Sequence, residues 1–162
     1  MYSVLFVCLG NICRSPLAEA LFMKLVSEQD LNAVFTADSC GLIDFHKGNL
    51  ADPRTRHTAK LFGIDILHRS RQITLKDFEA FDELLVMDES VYTQVMAMKP
   101  ASFDGSRINY LRAFDPVFPG NTVPDPYYQD QAAFEEVHHI LERCIANYLQ
   151  MVRQSIPPKN HT

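Results

Sequence analysis

Val4-Leu5-Phe6-Val7-Cys8-Leu9-Gly10-Asn11-Ile12-Cys13-Arg14-Ser15-Pro16 joins an apolar run to a helical pattern through a cysteine, five intervening residues and an arginine. The run Tyr2 to Cys8 lacks polar alternation, which predicts a parallel strand covered on both faces. Cys-x5-Arg-Ser between a strand and a helix describes a loop that wraps an oxyanion. Its N–H groups can form an anion nest, and the following helix adds positive potential from its N-terminus. Arg14 supplies a planar fork that matches two oxygens. Cys8 sits at the bottom, where those fields favour negative charge on sulfur.

A buried strand cysteine before an ordinary turn would account for Cys8 alone. It does not account for the whole phrase. Gly10 and Asn11 tolerate left-handed backbone, which a tight nest needs. Ser15 fits as an N-cap and Pro16 as the first helical residue. Leu9, Gly10, Asn11, Ile12 and Cys13 are the candidate residues around the anion.

Working outward, Leu17, Leu21, Leu25 and Val26 mark one face of a helix over 16–29. Ala33 to Ser39 reads as a second strand entering a turn at Cys40-Gly41. Residues 41–52 form a loop. Pro53 to Phe62 reads as a helix that stops at Gly63. Leu84 to Met87 is a third strand, with Asp88 at its end, and residues 89–98 a helix stopped by Pro100. Arg107 to Leu111 is a fourth strand candidate. Residues 113–127, with Pro116, Pro119, Pro124 and Pro126, predict a long ordered loop. Phe134, Val137, Leu141, Cys144, Ile145, Tyr148 and Val152 predict a long amphipathic C-terminal helix. From Pro157 a polar tail follows, so the domain is expected over 1–156 and the tail over 157–162.

Strands alternating with helices predict one α/β domain with a parallel sheet. Ligands in such sheets bind at the carboxyl ends of strands. Cys8, Ser39 and Asp88 all fall at predicted strand ends, in agreement with an anion site there. A chain of 162 residues suits one domain, and 22% charged residues suit a globular one. The net charge of −5 argues against nucleic acid as a partner. No apolar run is long enough to span a membrane, and no basic segment precedes the apolar start. The four cysteines therefore read as thiols in a cytoplasmic, reducing setting.

The phrase at 7–19, together with Asp125-Pro126-Tyr127-Tyr128, resembles the low-molecular-weight protein tyrosine phosphatases, and the resemblance covers nearly the whole chain. It implies strand order 2-1-3-4, with helices on both faces and a phosphate-binding loop after strand 1. It implies hydrolysis of phosphotyrosine through a cysteinyl-phosphate, with Cys8 as nucleophile, Arg14 binding phosphate and Asp125 as general acid and base. Asp-Pro alone would read as a turn. Tyr127 and Tyr128 would line the pocket mouth, facing Phe45, with Ile12 as an apolar wall and His46 at the rim. Ser39, Asn11, Ser15 and His68 would support the loop.

Cys13, in the same loop as Cys8, suggests a reversible disulfide that protects the nucleophile. Cys40 and Cys144 read as buried structural thiols. His138 and His139 are adjacent and cannot share a site. No metal or cofactor is expected, since Arg14 and the nest supply the charge. Expected partners are phosphotyrosine proteins, a tyrosine kinase among the candidates, with inorganic phosphate as product.

Three other readings fit less well. An arsenate reductase needs two further cysteines after the third strand, and there are none between Cys40 and Cys144. A phosphoarginine phosphatase typically has threonine where Ile12 stands. A non-catalytic phosphotyrosine-binding module has no need of Cys8, Arg14 and Asp125 together.

Overall fold

The computed structural model describes residues 1–156; the expected polar tail at 157–162 lies outside the described residues. Four parallel strands, β1 (Tyr2–Cys8), β2 (Phe35–Gly41), β3 (Glu83–Val86) and β4 (Ile108–Tyr110), form one sheet in the order β2-β1-β3-β4. The connections carry helices α1 (Arg14–Glu28), α2 (Pro53–Leu61), the short α3 (Asp77–Ala80) and α4 (Glu89–Met98), and α5 (Gln131–Ser155) ends the chain.

The unbroken apolar run of β1 has a simple cause. Val4, Phe6 and Cys8 face one hydrophobic layer, with α1 and α5 residues such as Phe22, Leu141 and Tyr148. Leu5 and Val7 face the other, with Phe78, Val91 and Val95. Both layers exclude water, so from Val4 to Val7 neither face of β1 can carry a polar side chain. The parity matters for function, because it turns Cys8 toward the α1 side.

The Phe35–Gly41 strand lies two residues later than expected. Leu31 O accepts from both Val34 N (2.8 Å) and Phe35 N (3.0 Å), which holds Ala33 and Val34 in a turn. Cys40-Gly41 is then the end of β2 and not a turn. Ser39 lies inside the strand, fully buried. Helix α1 begins at Arg14, with Cys13 in the N-cap position and no side-chain cap, so Ser15 is not the cap. Its hydroxyl is engaged elsewhere. The α3 helix went unpredicted because one turn has no periodicity. Asp77 organises it, accepting from Thr74 N at 2.7 Å and from both Nη atoms of Arg71.

The other boundaries follow their local chemistry. Asp52 caps α2 by accepting from Arg54 N, Asp88 caps α4 by accepting from Val91 N, and Asp130 caps α5 by accepting from Ala133 N. Past the end of α2, Gly63 takes φ +73, as a helix stop requires. His138 is fully buried and stacks on Phe62 with centroids 4.0 Å apart.

Candidate active site

Cys8 ends β1, and the chain then curls through residues 9–13 into α1. The curl is fastened from outside. Leu9 O accepts from Leu42 N (2.9 Å) and Ile43 N (3.1 Å), Gly10 O from Ser70 Oγ (3.1 Å), and Ile12 O from Asp52 N (2.8 Å). A trans peptide directs its N–H opposite its C=O. Outward carbonyls at 9, 10 and 12 therefore aim the N–H groups of Gly10, Asn11 and Cys13 inward. Asn11 N accordingly donates to Cys8 Sγ at 3.3 Å. These inward donors have the arrangement that an anion nest requires.

Asn11 takes the left-handed conformation, φ 54°. Gly10 does not. What Gly10 supplies is room: a Cβ there would sit 3.3 Å from His46 Cδ2. Gly41, which the sequence reads as a turn residue, is the stricter requirement. A Cβ on it would meet Leu9 O at 2.8 Å and Asn11 N at 3.0 Å. Only glycine lets the end of β2 lie against this loop.

The Asn11 amide makes four hydrogen bonds. Its Oδ1 accepts from Arg71 N (3.0 Å) and His68 Nε2 (2.8 Å), and its Nδ2 donates to Ser15 Oγ (2.8 Å) and Ser39 Oγ (3.0 Å). The backbone donor fixes which end is the oxygen, so His68 Nε2 carries a hydrogen. His68 Nδ1 then lies 3.2 Å from Glu19 Oε2. Two acceptors do not approach this closely without a proton between them. Burial pushes Glu19 up to about 7 and His68 down. Both shifts place that proton on the carboxyl. Glu19 Oε2 also lies 2.6 Å from Ser39 Oγ, which completes the support.

Ser15 Oγ lies 3.0 Å from Cys8 Sγ and 3.3 Å from Cys40 O. It accepts from Asn11 Nδ2, and its one proton can turn to either Cys40 O or the sulfur, the sulfur being favoured when it is charged.

Arg14 is buried, and its Nη1 donates to Asp88 Oδ2 (2.7 Å) and Val123 O (3.0 Å). Its Nη2 lies 3.5 Å from Asp125 Oδ2. Burial opposes charge on the guanidinium, but Cys8, Asp88 and Asp125 outweigh it and raise its pKa. One edge of the fork is fixed to the scaffold, and the rest faces the space above Cys8.

That space is a cavity of about 210 Å³. Cys8, Arg14 and Ile12 form its floor, and Asp125 stands at its side. Phe45, His46, Tyr127 and Tyr128 form the rim as two edge-to-face pairs, Phe45 with His46 at 4.9 Å and Tyr127 with Tyr128 at 4.8 Å, with His46 tilted toward Tyr127 at 6.3 Å. Phe45 and Tyr128 are 81% and 91% exposed, so they are not core residues. Ile12 packs with Cys13 and Phe134, and Arg54 lies over the Tyr127 ring at 5.5 Å. An anion nest, an arginine fork and a sulfur at the base of an aromatic slot fit a phosphate monoester of a flat alcohol.

Residues 3–157 match the family model described as low molecular weight phosphotyrosine protein phosphatase. The Sus scrofa protein of that description is 40% identical over 152 residues, 93% of this chain and 96% of its own length. A Streptomyces coelicolor low molecular weight protein-tyrosine-phosphatase is 36% identical over 96% of each chain. The chain belongs to the low-molecular-weight protein tyrosine phosphatases. The crystal structure of a protein tyrosine phosphatase from Entamoeba histolytica superposes with a TM-score of 0.91 at 34% identity, covering 96% of this chain and 99% of the other.

The fold therefore gathers in this phosphatase every residue named from the sequence. Cys8, Leu9, Gly10, Ile12, Cys13 and Arg14 line one cavity with Asp125 and the rim. Asn11, Ser15, Ser39 and His68 lie behind it. Five further residues act here without a local signal: Glu19, Asp38, Ile43, Arg71 and Val123. Asp88 was placed at a strand end, but its contact with Arg14 was not foreseen. Glu19, Asp38 and His68 offer three ligand atoms within 4.8 Å of one another. Arg71 already places a cation on Asp38, with Nη2 to Oδ2 at 2.9 Å, and His68 Nδ1 lies 3.2 Å from Glu19 Oε2. All four cysteines are free thiols, and burial pushes Cys13 up to about 12. Among the described residues, no helix is long and apolar enough to cross a membrane.

Proposed function

We propose that this chain hydrolyses phosphotyrosine in proteins through a cysteinyl-phosphate. The observation that carries the reading is Cys8 Sγ at the centre of a ring of inward N–H groups, with Ser15 Oγ 3.0 Å away and Arg14 alongside. The sulfur attacks phosphorus, the P–O bond to the ring breaks, and Asp125 delivers its proton to the leaving phenolic oxygen. Arg14 and the nest hold the three other oxygens as charge builds. Water then attacks phosphorus, its proton passes to Asp125, and the S–P bond breaks, releasing inorganic phosphate. Ser15 stabilises the sulfur as it leaves.

The rim supports the choice of tyrosine. Phe45, Tyr127 and Tyr128 offer faces to a phenyl ring, and Ile12 supplies an apolar wall. Phosphotyrosine proteins, a tyrosine kinase among them, are the proposed partners, and the cytoplasm the proposed location. Oxidation of Cys8 by a peroxide to the sulfenic acid would be captured by the Cys13 thiol as a disulfide with loss of water, since Cys13 lines the same cavity. Cys8→Ser should abolish turnover of an aryl phosphate while the variant keeps its fold. Appreciable turnover by a clean Cys8→Ser preparation would remove the mechanism.

A further inference from the structure

We propose that Arg112 is a positioning residue for the acid loop, holding Asp125 in place through the loop's own carbonyls. The proposal rests on the reading of Asp125 as general acid.

Between Asp115 and Val123 every residue is exposed, so the core does not shape this stretch. Val117 and Phe118 in particular stand 56% and 67% exposed. Yet the stretch must have one shape, because it ends two residues before Asp125. Arg112, which precedes it on the 3-10 turn Leu111–Phe114, supplies that shape. Its Nε donates to Phe118 O at 3.0 Å and its Nη1 to Thr122 O at 3.1 Å. Its own carbonyl accepts from Asp115 N (3.1 Å) and Gly120 N (3.2 Å). One residue thus touches the loop at its start, middle and end.

The consequence reaches the cavity directly. Thr122 precedes Val123, whose N donates to Met87 O at 2.7 Å and whose O accepts from Arg14 Nη1 at 3.0 Å. Pro124 follows with φ fixed by its ring, then Asp125. Thr122 therefore sets the direction from which the chain enters this short segment, and the Asp125 carboxyl lies three residues on. The loop's other side-chain ties each hold a single point: Asn121 Nδ2 donates to Glu89 Oε1 at 2.9 Å, and within the loop Asp115 Oδ1 accepts from Val117 N at 2.9 Å.

Arg112 also pairs with the buried Asp115, Nε to Oδ2 at 3.1 Å. Asp115 does not depend on it. Arg143 grips the same carboxylate through two bonds, Nε to Oδ1 at 3.1 Å and Nη2 to Oδ2 at 2.8 Å. This separates two roles experimentally. Removing Arg143 attacks the buried ion pair, whereas removing Arg112 leaves that pair and frees the loop carbonyls.

The test compares Arg112→Met, Arg143→Met and Asp125→Asn on p-nitrophenyl phosphate and phenyl phosphate. The readout is the ratio of the two kcat/KM values, which does not depend on the fraction of active protein. A nitrophenolate leaves without a proton, but a phenolate needs one. Arg112→Met should lower kcat/KM on phenyl phosphate by on the order of ten- to a hundredfold, and hardly at all on the nitrophenyl ester. Arg143→Met should lower Tm and leave the ratio at the wild-type value. Should Arg112→Met not fold, Arg112→Lys, which loses the fork, should still move the ratio in the same direction. An unchanged ratio in the Arg112 variants, or an equal shift in Arg143→Met, would overturn the proposal. An unchanged ratio in Asp125→Asn would instead overturn the reading of Asp125, and the proposal with it.

Discussion

Asp88 Oδ2 accepts a hydrogen bond of 2.7 Å from Arg14 Nη1, across 74 residues of sequence. Asp88 also caps α4 by accepting from Val91 N, so its carboxylate is itself held still. Arg14, the proposed phosphate ligand, is thus aimed by a side chain fixed at the end of the neighbouring strand. Asp88→Ala should lower kcat/KM for aryl phosphates by on the order of 10²-fold through loss of orientation, with Arg14 still charged. Asp88→Asn, which keeps the cap and one acceptor, should cost less. Equal activity in all three proteins would show that Val123 O alone orients the guanidinium.

Ser15 Oγ lies 3.0 Å from Cys8 Sγ, where its hydroxyl can donate to a departing thiolate. Ser15→Ala should therefore slow breakdown of the cysteinyl-phosphate more than its formation. Rapid-quench kinetics would show a larger burst of phenol and a slower steady state. A smaller burst would assign Ser15 to the first step.

Phe45 and Tyr128 are almost fully exposed, so their cost in solvent contact is recovered only when a ring enters the slot. Phe45→Ala and Tyr128→Ala should each raise KM for a phosphotyrosine peptide several-fold while leaving Tm near wild type. Phosphoserine peptides, too short to bring phosphate down to Cys8, should be poor substrates throughout. Comparable kcat/KM for phosphoserine and phosphotyrosine peptides would remove the slot.

Glu19 gives a pH signature. Burial lifts its pKa from 4.5 to about 7, so folding favours its protonated form. The resulting stability is complete below about pH 4.5 and is lost as pH rises through about 7. Glutamine mimics the protonated carboxyl, because its amide can donate to His68 Nδ1. Glu19→Gln should match wild type near pH 4.5 and exceed it in Tm at pH 8. A variant less stable than wild type at pH 8 would mean that the pair is held as carboxylate and imidazolium.

Much of this arrangement was legible in the chain. The 4–16 phrase carries the strand, the loop and the helix because each residue there answers a local demand: apolar on both faces, left-handed at Asn11, forked at Arg14. The Asp125-Pro126-Tyr127-Tyr128 segment was legible through resemblance. Other features depended on distant partners. Gly41 reads as a turn glycine until β2 is seen against the loop, where its missing side chain admits Leu9 O at 2.8 Å. Ser15 reads as a cap because serine usually is one, yet Cys8, Asn11 and Cys40 compete successfully for its hydroxyl. Glu19 lies on the α1 helix with nothing in its neighbours to announce His68, and Arg112 reads as one more surface arginine. These roles are set by contacts across tens of residues, which no local pattern records.

The central claim is covalent, and it is tested by acid-quenching the wild-type protein during turnover of p-nitrophenyl phosphate and mapping the phosphate by mass spectrometry. The account predicts a phosphorylated peptide bearing the group on Cys8, absent from Cys8→Ser. Phosphate found on another residue, or turnover with no phosphoenzyme while the burst of nitrophenol persists, would contradict it.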